Sequence, residues 1–387
     1  MPGHPRFGRI VVVGNGIAGL TACDTLRAEG FDGDLVVVGA EPRSAYSRPA
    51  LSKALLRLDG ELGAQELPPP THGADALLGV SASALEPQAR TLALSDGRTL
   101  DYDGLVIATG SRARRFTDSA HELSLRDLDD AVRLRRVLGA RPRVTIVGGG
   151  VLGMEIASGA VAAGCEVTLV ATARPMSKQL GPHLAALIGA AAAWAGLRLV
   201  LASRVEVLDV GDVVRVIADE NAIVGDVVVS AVGDTPNVEW LSDSGLLRGG
   251  ALIADGCGRV RPGIVAAGDV ATWHDSDAQW RLPLWTTAIE QAKVAAGSLL
   301  HDERADELSF QPYFWTEQFG MSLKAIGPLP VVGEPEVLER GPDAAPSLLR
   351  WTHPDGSRTA VAVNHRIPIP RLRRLTAPID PLDPARP

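Results

Sequence analysis

Two stretches of this sequence carry glycines at the spacing that holds a dinucleotide pyrophosphate. IVVVGNGIAGLTAC, residues 10–23, places Gly14, Gly16 and Gly19 in a Gly-x-Gly-x-x-Gly pattern after an apolar run, and VTIVGGGVLGMEIA, residues 144–157, repeats the pattern with Gly148, Gly150 and Gly153. The first glycine permits a sharp turn, the second lets the backbone approach the anion, and the third lets the next helix pack close to the strand. Unpaired N–H groups and the dipole at that helix N-terminus then hold the negative charge. An acid about twenty residues further on would bind ribose hydroxyls. Glu41, at the end of DLVVVGAE, fills that place in the first unit; in the second, LVATARP puts Ala171 there, with Arg174 and Lys178 close behind. A missing acid with cations nearby tolerates a 2′-phosphate, so the second unit leans toward NADPH.

The elements that must position these residues are themselves duplicated. After the first β-α-β unit, TLALSDGRTLDYDGLVIATG reads as two alternating strands joined at Asp96-Gly97 and then a buried strand ending at Gly110. In the second half, RVEVLDVGDVVRVIA repeats the hairpin and DVVVSAVG repeats the buried strand, crossing back at Gly233. The fold class expected is α/β, with two tandem Rossmann-like dinucleotide-binding domains and a C-terminal α+β domain. The expected boundaries are 1–111 with 233–309 for a discontinuous FAD-binding domain, 112–232 for an NAD(P)-binding domain and 310–376 for the last domain, which changes to short runs broken by Pro and Gly. GIVAAGDVA at 263–271 and a helix around TTAIEQAKVAAGSLL would close the first domain, and the Pro-rich tail, 377–387, should be poorly ordered. Two dinucleotide units in one chain imply two carriers brought face to face for hydride transfer, FAD held by the first and a nicotinamide dinucleotide visiting the second.

Composition narrows the field. The chain has 387 residues, and its net charge of −8 argues against wholesale nucleic-acid binding. No run is apolar enough to span a membrane, and MPGHPRFGRIVVVG lacks the core of a secretory signal, so a cytoplasmic location is expected. Cys23, Cys165 and Cys257 are too scattered for a disulfide framework or a zinc site, and read as small buried hydrophobes. No metal-protease, serine-nucleophile or phosphate-loop motif occurs, and no metal is expected.

At AYSRPALSKALL, residues 45–56, the sequence resembles the FAD-dependent NAD(P)H:ferredoxin reductases that serve Rieske-type oxygenases and bacterial P450s, with Ala50 where that family has a second Pro. VIATGS, GGGVLGMEIA, DVVVSAVGDTPN, IVAAGDVA, AIEQAK, FWTEQFG and VAVNHR follow in the family's order. The resemblance implies the glutathione-reductase-like architecture. It makes Lys53 the lysine beside the flavin N5 and Glu155 its glutamate partner near the nicotinamide, the candidate catalytic pair. A cation there would stabilise charge on reduced flavin, and a carboxylate would favour the charge that develops as hydride leaves. It also implies FAD contacts from Arg48, Arg126 and Asp269, and from Trp285 and Trp315 as flavin-side aromatics. Ala82, Thr109 and Gly110 join the candidate FAD-binding residues, and Gly233 and Arg174 those for NAD(P). Departures from the family are Ala40 directly after the glycine of the second strand, Pro283 where a glutamate is often found, and three prolines within 62–79 where a helix is expected.

Relatives of this architecture that reduce disulfides keep reactive cysteine beside the flavin, and residues 40–60 contain none. Electrons should therefore leave the flavin directly for an outside acceptor, expected to be a ferredoxin and through it an oxygenase or P450. An acidic ferredoxin would seek a basic face, for which SRARRF at 111–116 and NHRIPIPRLRRL at 364–375 are candidates. Two other readings stay open: direct reduction of a quinone, oxygen or monodehydroascorbate, and a redox-signalling role of the apoptosis-inducing-factor kind. The self-association expected is monomer or homodimer.

Overall fold

The computed structural model describes residues 7–57, 60, 63, 65–211, 213–274, 278–301, 306–341 and 344–377. The expectation of a poorly ordered tail falls, from residue 378 on, outside the described residues. The chain divides into two compact units, one drawn from 1–47, 65–112 and 234–310, the other from 48–64, 113–233 and 311–387.

The first unit is built on a six-stranded sheet. At its centre Arg9–Val13 pairs in parallel with Asp34–Gly39 on one side and Gly104–Ile107 on the other, Ile264–Ala266 and Asp75–Leu78 extend it in parallel, and Arg259–Arg261 joins antiparallel at the edge beside Ile264–Ala266. Val11, Val12 and Val13 are nearly inaccessible because both faces of this parallel sheet are covered, which is why the strand reads as a continuous apolar run rather than an alternating one. One face packs on the helices Ile17–Ala28 and Trp285–His301, where Ala288, Ala292, Ala295 and Ala296 present a stripe of small side chains to Ala22, Cys23 and Leu26. The other face packs on Leu85, Leu92 and Leu94 of a three-stranded meander, Ala82–Glu86, Thr91–Leu94 and Thr99–Asp101, whose hairpin turns where Asp96-Gly97 indicates. Each such buried aliphatic side chain contributes roughly 1.5–3 kcal/mol relative to exposure. The proline-interrupted stretch forms no helix over 67–74; it runs irregularly into the edge strand Asp75–Leu78.

The second unit repeats the plan. A five-stranded parallel sheet has Arg143–Val147 at its centre, flanked by Glu166–Ala171 and Val227–Ser230, with Arg198–Leu201 and Glu122–Leu123 at the edges. Its crossover helix is Val151–Ala162, and its hairpin, Val205–Asp209 with Val214–Ala218, packs on Val147, Val170 and Val228. The same unit carries a five-stranded antiparallel sheet of Tyr313–Gln318, Met321–Ile326, Arg358–Val363, Pro346–Thr352 and Glu336–Arg340, closed by the short helix Ile369–Arg374 over Leu372. The fold is α/β, as expected. No described helix is long and apolar enough to cross a membrane.

Candidate active site

Each fingerprint is a backbone device, and the structure gives the reason for each glycine. Gly14 sits at φ +117°, and a Cβ there would lie 2.1 Å from the Ala108 carbonyl oxygen; one on Gly19 would lie 1.8 Å from the Gly14 carbonyl oxygen. Gly16 caps the helix Ile17–Ala28 in an extended conformation with open space beside it, no side chain satisfying the helix N-terminus and no acid in the first turn. Such a helix end is free to receive an anion. Glu41, two residues beyond the strand Asp34–Gly39, is held by the Tyr46 hydroxyl, which donates to Oε2 at 2.7 Å.

Thr109 and Gly110 follow the strand Gly104–Ile107, and Asp269 follows Ile264–Ala266, so these residues, Gly14 and Glu41 all lie beyond the carboxyl ends of parallel strands, where open α/β sheets bind ligands. Asn237 pins this rim: its Nδ2 donates to the Thr109 carbonyl at 3.0 Å, its N–H to the Gly110 carbonyl at 3.0 Å, and its own carbonyl accepts from Thr109 Oγ1 at 2.8 Å. Arg281 Nε donates to the Asp269 carbonyl at 2.6 Å while its guanidinium pairs with Asp234. Ala82, half-buried, begins the meander, and Trp285 is the first residue of its helix, also half-buried.

In the second unit Gly148 sits at φ +116°, with the Ala231 carbonyl oxygen 2.2 Å from a would-be Cβ, and one on Gly153 would lie 2.0 Å from the Gly148 carbonyl oxygen. Gly150 caps the helix Val151–Ala162, again with no capping side chain. Gly233 takes φ +97° in the turn after Val227–Ser230. Ala171 ends its strand buried, while Arg174 is exposed in the turn beyond it and Lys178 on the short helix Ser177–Leu180 that follows.

The chemistry gathers on that second helix. Glu155 is only 3 % exposed, and its carboxylate accepts from donors on three described residues. Lys53 Nζ lies 2.9 Å from Oε1 and 3.0 Å from Oε2, Thr316 Oγ1 donates to Oε1 at 2.7 Å, and Ser52 Oγ donates to Oε2. Lys53 is brought there by a segment whose Leu51, Leu55 and Leu56 are buried; Leu56 rests on Gly159, where a Cβ would come within 3.2 Å of it, and Arg135 Nη1 donates to the Leu55 carbonyl at 3.2 Å. The Lys53 ammonium also lies 5.7 Å from the centre of the Trp315 ring, which stacks on Tyr313 with centroids 5.5 Å apart. A cation beside an aromatic face gains from the ring quadrupole. Arg48 Nη1 donates to the Arg126 carbonyl at 2.8 Å, and Arg126 N–H to Asp130, so these two share one corner of the unit.

The structure thus assembles Lys53, Glu155 and Trp315 in the second unit, and Gly14, Gly16, Gly19, Glu41, Thr109, Gly110 and Asp269 along one rim of the first. Ser52, Thr316, Gln318, Tyr46 and Asn237 were not foreseen from sequence. Ser52 and Thr316 adjoin residues that were, and the alternation in Tyr313–Gln318 puts Thr316 and Gln318 on its buried side.

The match to the family model described as pyridine nucleotide-disulphide oxidoreductase runs over residues 8–292. The chain belongs to that family. Within it, the chain is 34% identical over 388 residues to the anthranilate 1,2-dioxygenase system ferredoxin–NAD(+) reductase component of Burkholderia cepacia, covering 95% of this chain and 93% of the relative. It is 33% identical over 340 residues to the putidaredoxin reductase of Pseudomonas putida, covering 82% and 80%. A crystal structure of a covalent putidaredoxin reductase–putidaredoxin complex superposes with a TM-score of 0.83 at 28% identity, over 95% of this chain and 92% of that one.

The family's name refers to disulfides, and this member's described thiols are unsuited to that chemistry. All three cysteines are buried and none forms a disulfide. Burial pushes the Cys23 thiol up to about 12 and raises those of Cys165 and Cys257, so the nucleophilic thiolate is suppressed at each.

Proposed function

We propose that this chain is a flavoprotein reductase that takes electrons from NADH or NADPH, carries them on FAD and delivers them to a ferredoxin, an iron–sulfur protein serving an oxygenase or cytochrome P450. The observation that carries the reading is the ion pair of half-buried Lys53 with Glu155, buried on the helix opened by the second glycine fingerprint. Bound FAD would supply the redox chemistry, accepting a hydride and releasing electrons singly. Gly14, Gly16 and Gly19 would receive its pyrophosphate, Glu41 its ribose hydroxyls and Asp269 its ribityl chain, while Arg48, Arg126, Ala82, Thr109, Gly110, Trp285 and Trp315 complete its binding residues. The cradle of Gly148, Gly150 and Gly153, with Gly233, would hold the nicotinamide dinucleotide. Ala171 presents no carboxylate against a 2′-phosphate, and the exposed Arg174 and Lys178 offer it cations, so NADPH is admitted beside NADH.

Lys53 and Glu155 act as a preorganised charge pair. The ammonium stabilises negative charge that develops beside it, and the carboxylate positive charge; since both are already desolvated and hydrogen-bonded, little reorganisation is needed. We assign the chain to the cytoplasm and keep the boundaries 1–111 with 233–309, 112–232 and 310–376 for its three domains.

For the ferredoxin we assign the face around Arg371, Arg373 and Arg374, all exposed on the helix Ile369–Arg374. In the other basic run Arg112 pairs with Glu239 and Arg115 folds back on the Ser119 and Glu122 carbonyls, and on this helix Arg371 pairs with Glu339; the helix is preferred because a single element carries its three exposed arginines. The test is steady-state turnover of the purified FAD-loaded protein with NADH or NADPH, against an iron–sulfur ferredoxin and against a small dye. Ferredoxin reduction well above the rate with oxygen or quinone is expected. A triple reversal of Arg371, Arg373 and Arg374 to Glu should raise the KM for ferredoxin about tenfold and spare the dye reaction. Equal loss with both acceptors, or with neither, removes that face from the proposal, and turnover confined to oxygen or a quinone removes the ferredoxin.

A further inference from the structure

Glu155 is reached by more than its lysine. On the strand Tyr313–Gln318, Phe314, Thr316 and Gln318 are buried while Glu317 is exposed, so the two polar side chains turn inward with the core face of the strand. Thr316 is 1 % exposed and Gln318 3 %. Gln318 Nε2 donates to Thr316 Oγ1 at 3.0 Å. A threonine hydroxyl has one hydrogen, and with its oxygen already accepting from the amide, that hydrogen is directed to Glu155 Oε1, 2.7 Å away. The chain of donors therefore runs one way, from Gln318 through Thr316 to the carboxylate. Gln318 Oε1, at the other end, is buried and has no hydrogen-bond partner among the described residues. Turning the amide over would place that acceptor against Thr316 and draw the hydroxyl hydrogen away from Glu155, so the orientation that leaves Oε1 unpaired is the one that serves the carboxylate. Buried polar groups left unpaired are uncommon and call for a reason.

The strand is also fixed to the helix that carries Glu155. Phe319 and Gly320, at φ +49° and +71°, make the two-residue turn into Met321–Ile326, and the Phe319 N–H donates to Ser158 Oγ at 2.7 Å, one helical turn beyond Glu155.

We propose that Thr316 and Gln318 are positioning residues that orient the Glu155 carboxylate so that both of its oxygens engage the Lys53 ammonium. Their part in turnover rests on the reading of Lys53 and Glu155 given above; the placement of the ammonium does not. Other charges on the elements around Glu155 are Arg48 and Arg57 on the segment bearing Lys53, Glu317 and Lys324 on the hairpin, and Arg143 and Glu166 on the sheet strands; the ion pair of Glu155 is with Lys53.

The sequence offers a direct probe, because it contains only four lysines, Lys53, Lys178, Lys293 and Lys324. In protein labelled with 15N-lysine, the Lys53 ammonium, protected from exchange by its bonds to Glu155, should give a resolved NMR signal, assigned by its absence in Lys53→Arg. Thr316→Val should abolish or shift that signal and slow single-turnover flavin reduction about tenfold, with the dissociation constant of the nicotinamide dinucleotide changed less than about twofold. Thr316→Ser, which keeps the hydroxyl, should restore both, and Gln318→Leu should give an intermediate loss. A Lys53 signal in Thr316→Val identical to that of the parent protein overturns the proposal, as does failure of Thr316→Ser to restore it. If the signal moves but Lys53→Met reduces its flavin at the parent rate, the positioning stands and the assigned role of the pair in electron transfer fails.

Discussion

The two glycine cradles of this chain share a backbone and differ in what they carry. Gly14 and Gly148 have φ values of +117° and +116°, and each faces a carbonyl oxygen about as close, 2.1 and 2.2 Å from a would-be Cβ. The helices that follow have 12 residues each and end alike, at Gly30 with the Phe31 N–H donating to the Leu26 carbonyl and at Gly164 with the Cys165 N–H donating to the Ala160 carbonyl. This is the left-handed glycine stop that satisfies the last turn. Two residues past the third glycine, however, the first helix has Thr21 and the second has Glu155. At the tip of the second strand the first unit has Glu41, two residues past its end and fixed by Tyr46, and the second has Ala171 as its last residue, followed by the exposed Arg174 and Lys178. Phosphate binding constrains only the backbone, which leaves the side chains one turn into the helix and at the strand tip to decide whether a unit stores a cofactor or reacts with one.

The cradle substitutions separate the two roles most strongly. Gly14→Ala and Gly148→Ala each force a Cβ into a carbonyl and a non-glycine residue to positive φ, a strain of several kcal/mol, roughly a hundredfold or more in affinity. Gly14→Ala should yield protein without flavin colour, and Gly148→Ala should stay yellow while losing reduction by NADH and NADPH; visible absorption and stopped-flow reduction report both. Identical phenotypes would break the distinction between the units. At the matching helix position, Lys53→Met leaves Glu155 buried and uncompensated, so a loss of about 3–5 kcal/mol in urea unfolding and about a hundredfold in flavin reduction is expected, whereas Thr21→Val should stay within about 0.5 kcal/mol.

At the strand tip, Ala171→Asp should shift the NADH-to-NADPH ratio of kcat/KM about tenfold toward NADH, while an unchanged ratio would mean that this residue does not read the ribose. The smallest effect concerns a brace whose backbone half both units share, the Arg9 N–H donating to Asp103 as the Arg143 N–H donates to Asp226, and to which the second unit adds the Arg143 guanidinium. Arg143 donates to Asp226 from its backbone N–H and its guanidinium, holding that carboxyl down to about 2. Because the folded-state value lies below the ordinary one, the pair's contribution is complete above the usual aspartate range and is lost as pH falls through about 2. Asp226→Asn should therefore lower Tm slightly at neutral pH, with the difference closing in acid; a constant difference at all pH values would exclude ionisation as its source.

Much of this was legible because local rules decide it. Both fingerprints, both hairpins and the long closing helix follow from glycine spacing, two-residue turn signals and apolar runs, all set by neighbours in sequence. The helix of the first unit stops at Ala28, where Glu29 caps it ahead of Gly30. Lys53, Glu155 and Trp315 were reached through family resemblance, and the structure brings the three together. Ser52 and Thr316 were not reached, because they meet Glu155 across 103 and 161 residues of chain, a distance over which composition and periodicity carry no information. Asn237, which holds the Thr109–Gly110 rim, and Arg281, which holds Asp269 and Asp234, belong with them. Such residues brace side chains and carbonyls far from them in sequence, so only the assembled fold reveals them.

The central claim is that this chain carries a flavin that passes electrons from a nicotinamide dinucleotide to a ferredoxin. Sequential-mixing stopped-flow tests it directly: the oxidised protein is bleached with one equivalent of NADH or NADPH under anaerobic conditions and then mixed with oxidised ferredoxin. We expect loss of the visible flavin bands on the first mixing and their rapid return, matched by ferredoxin reduction, on the second. Folded protein that shows no flavin bands after reconstitution with FAD, or a reduced flavin that persists in the presence of ferredoxin, would contradict it.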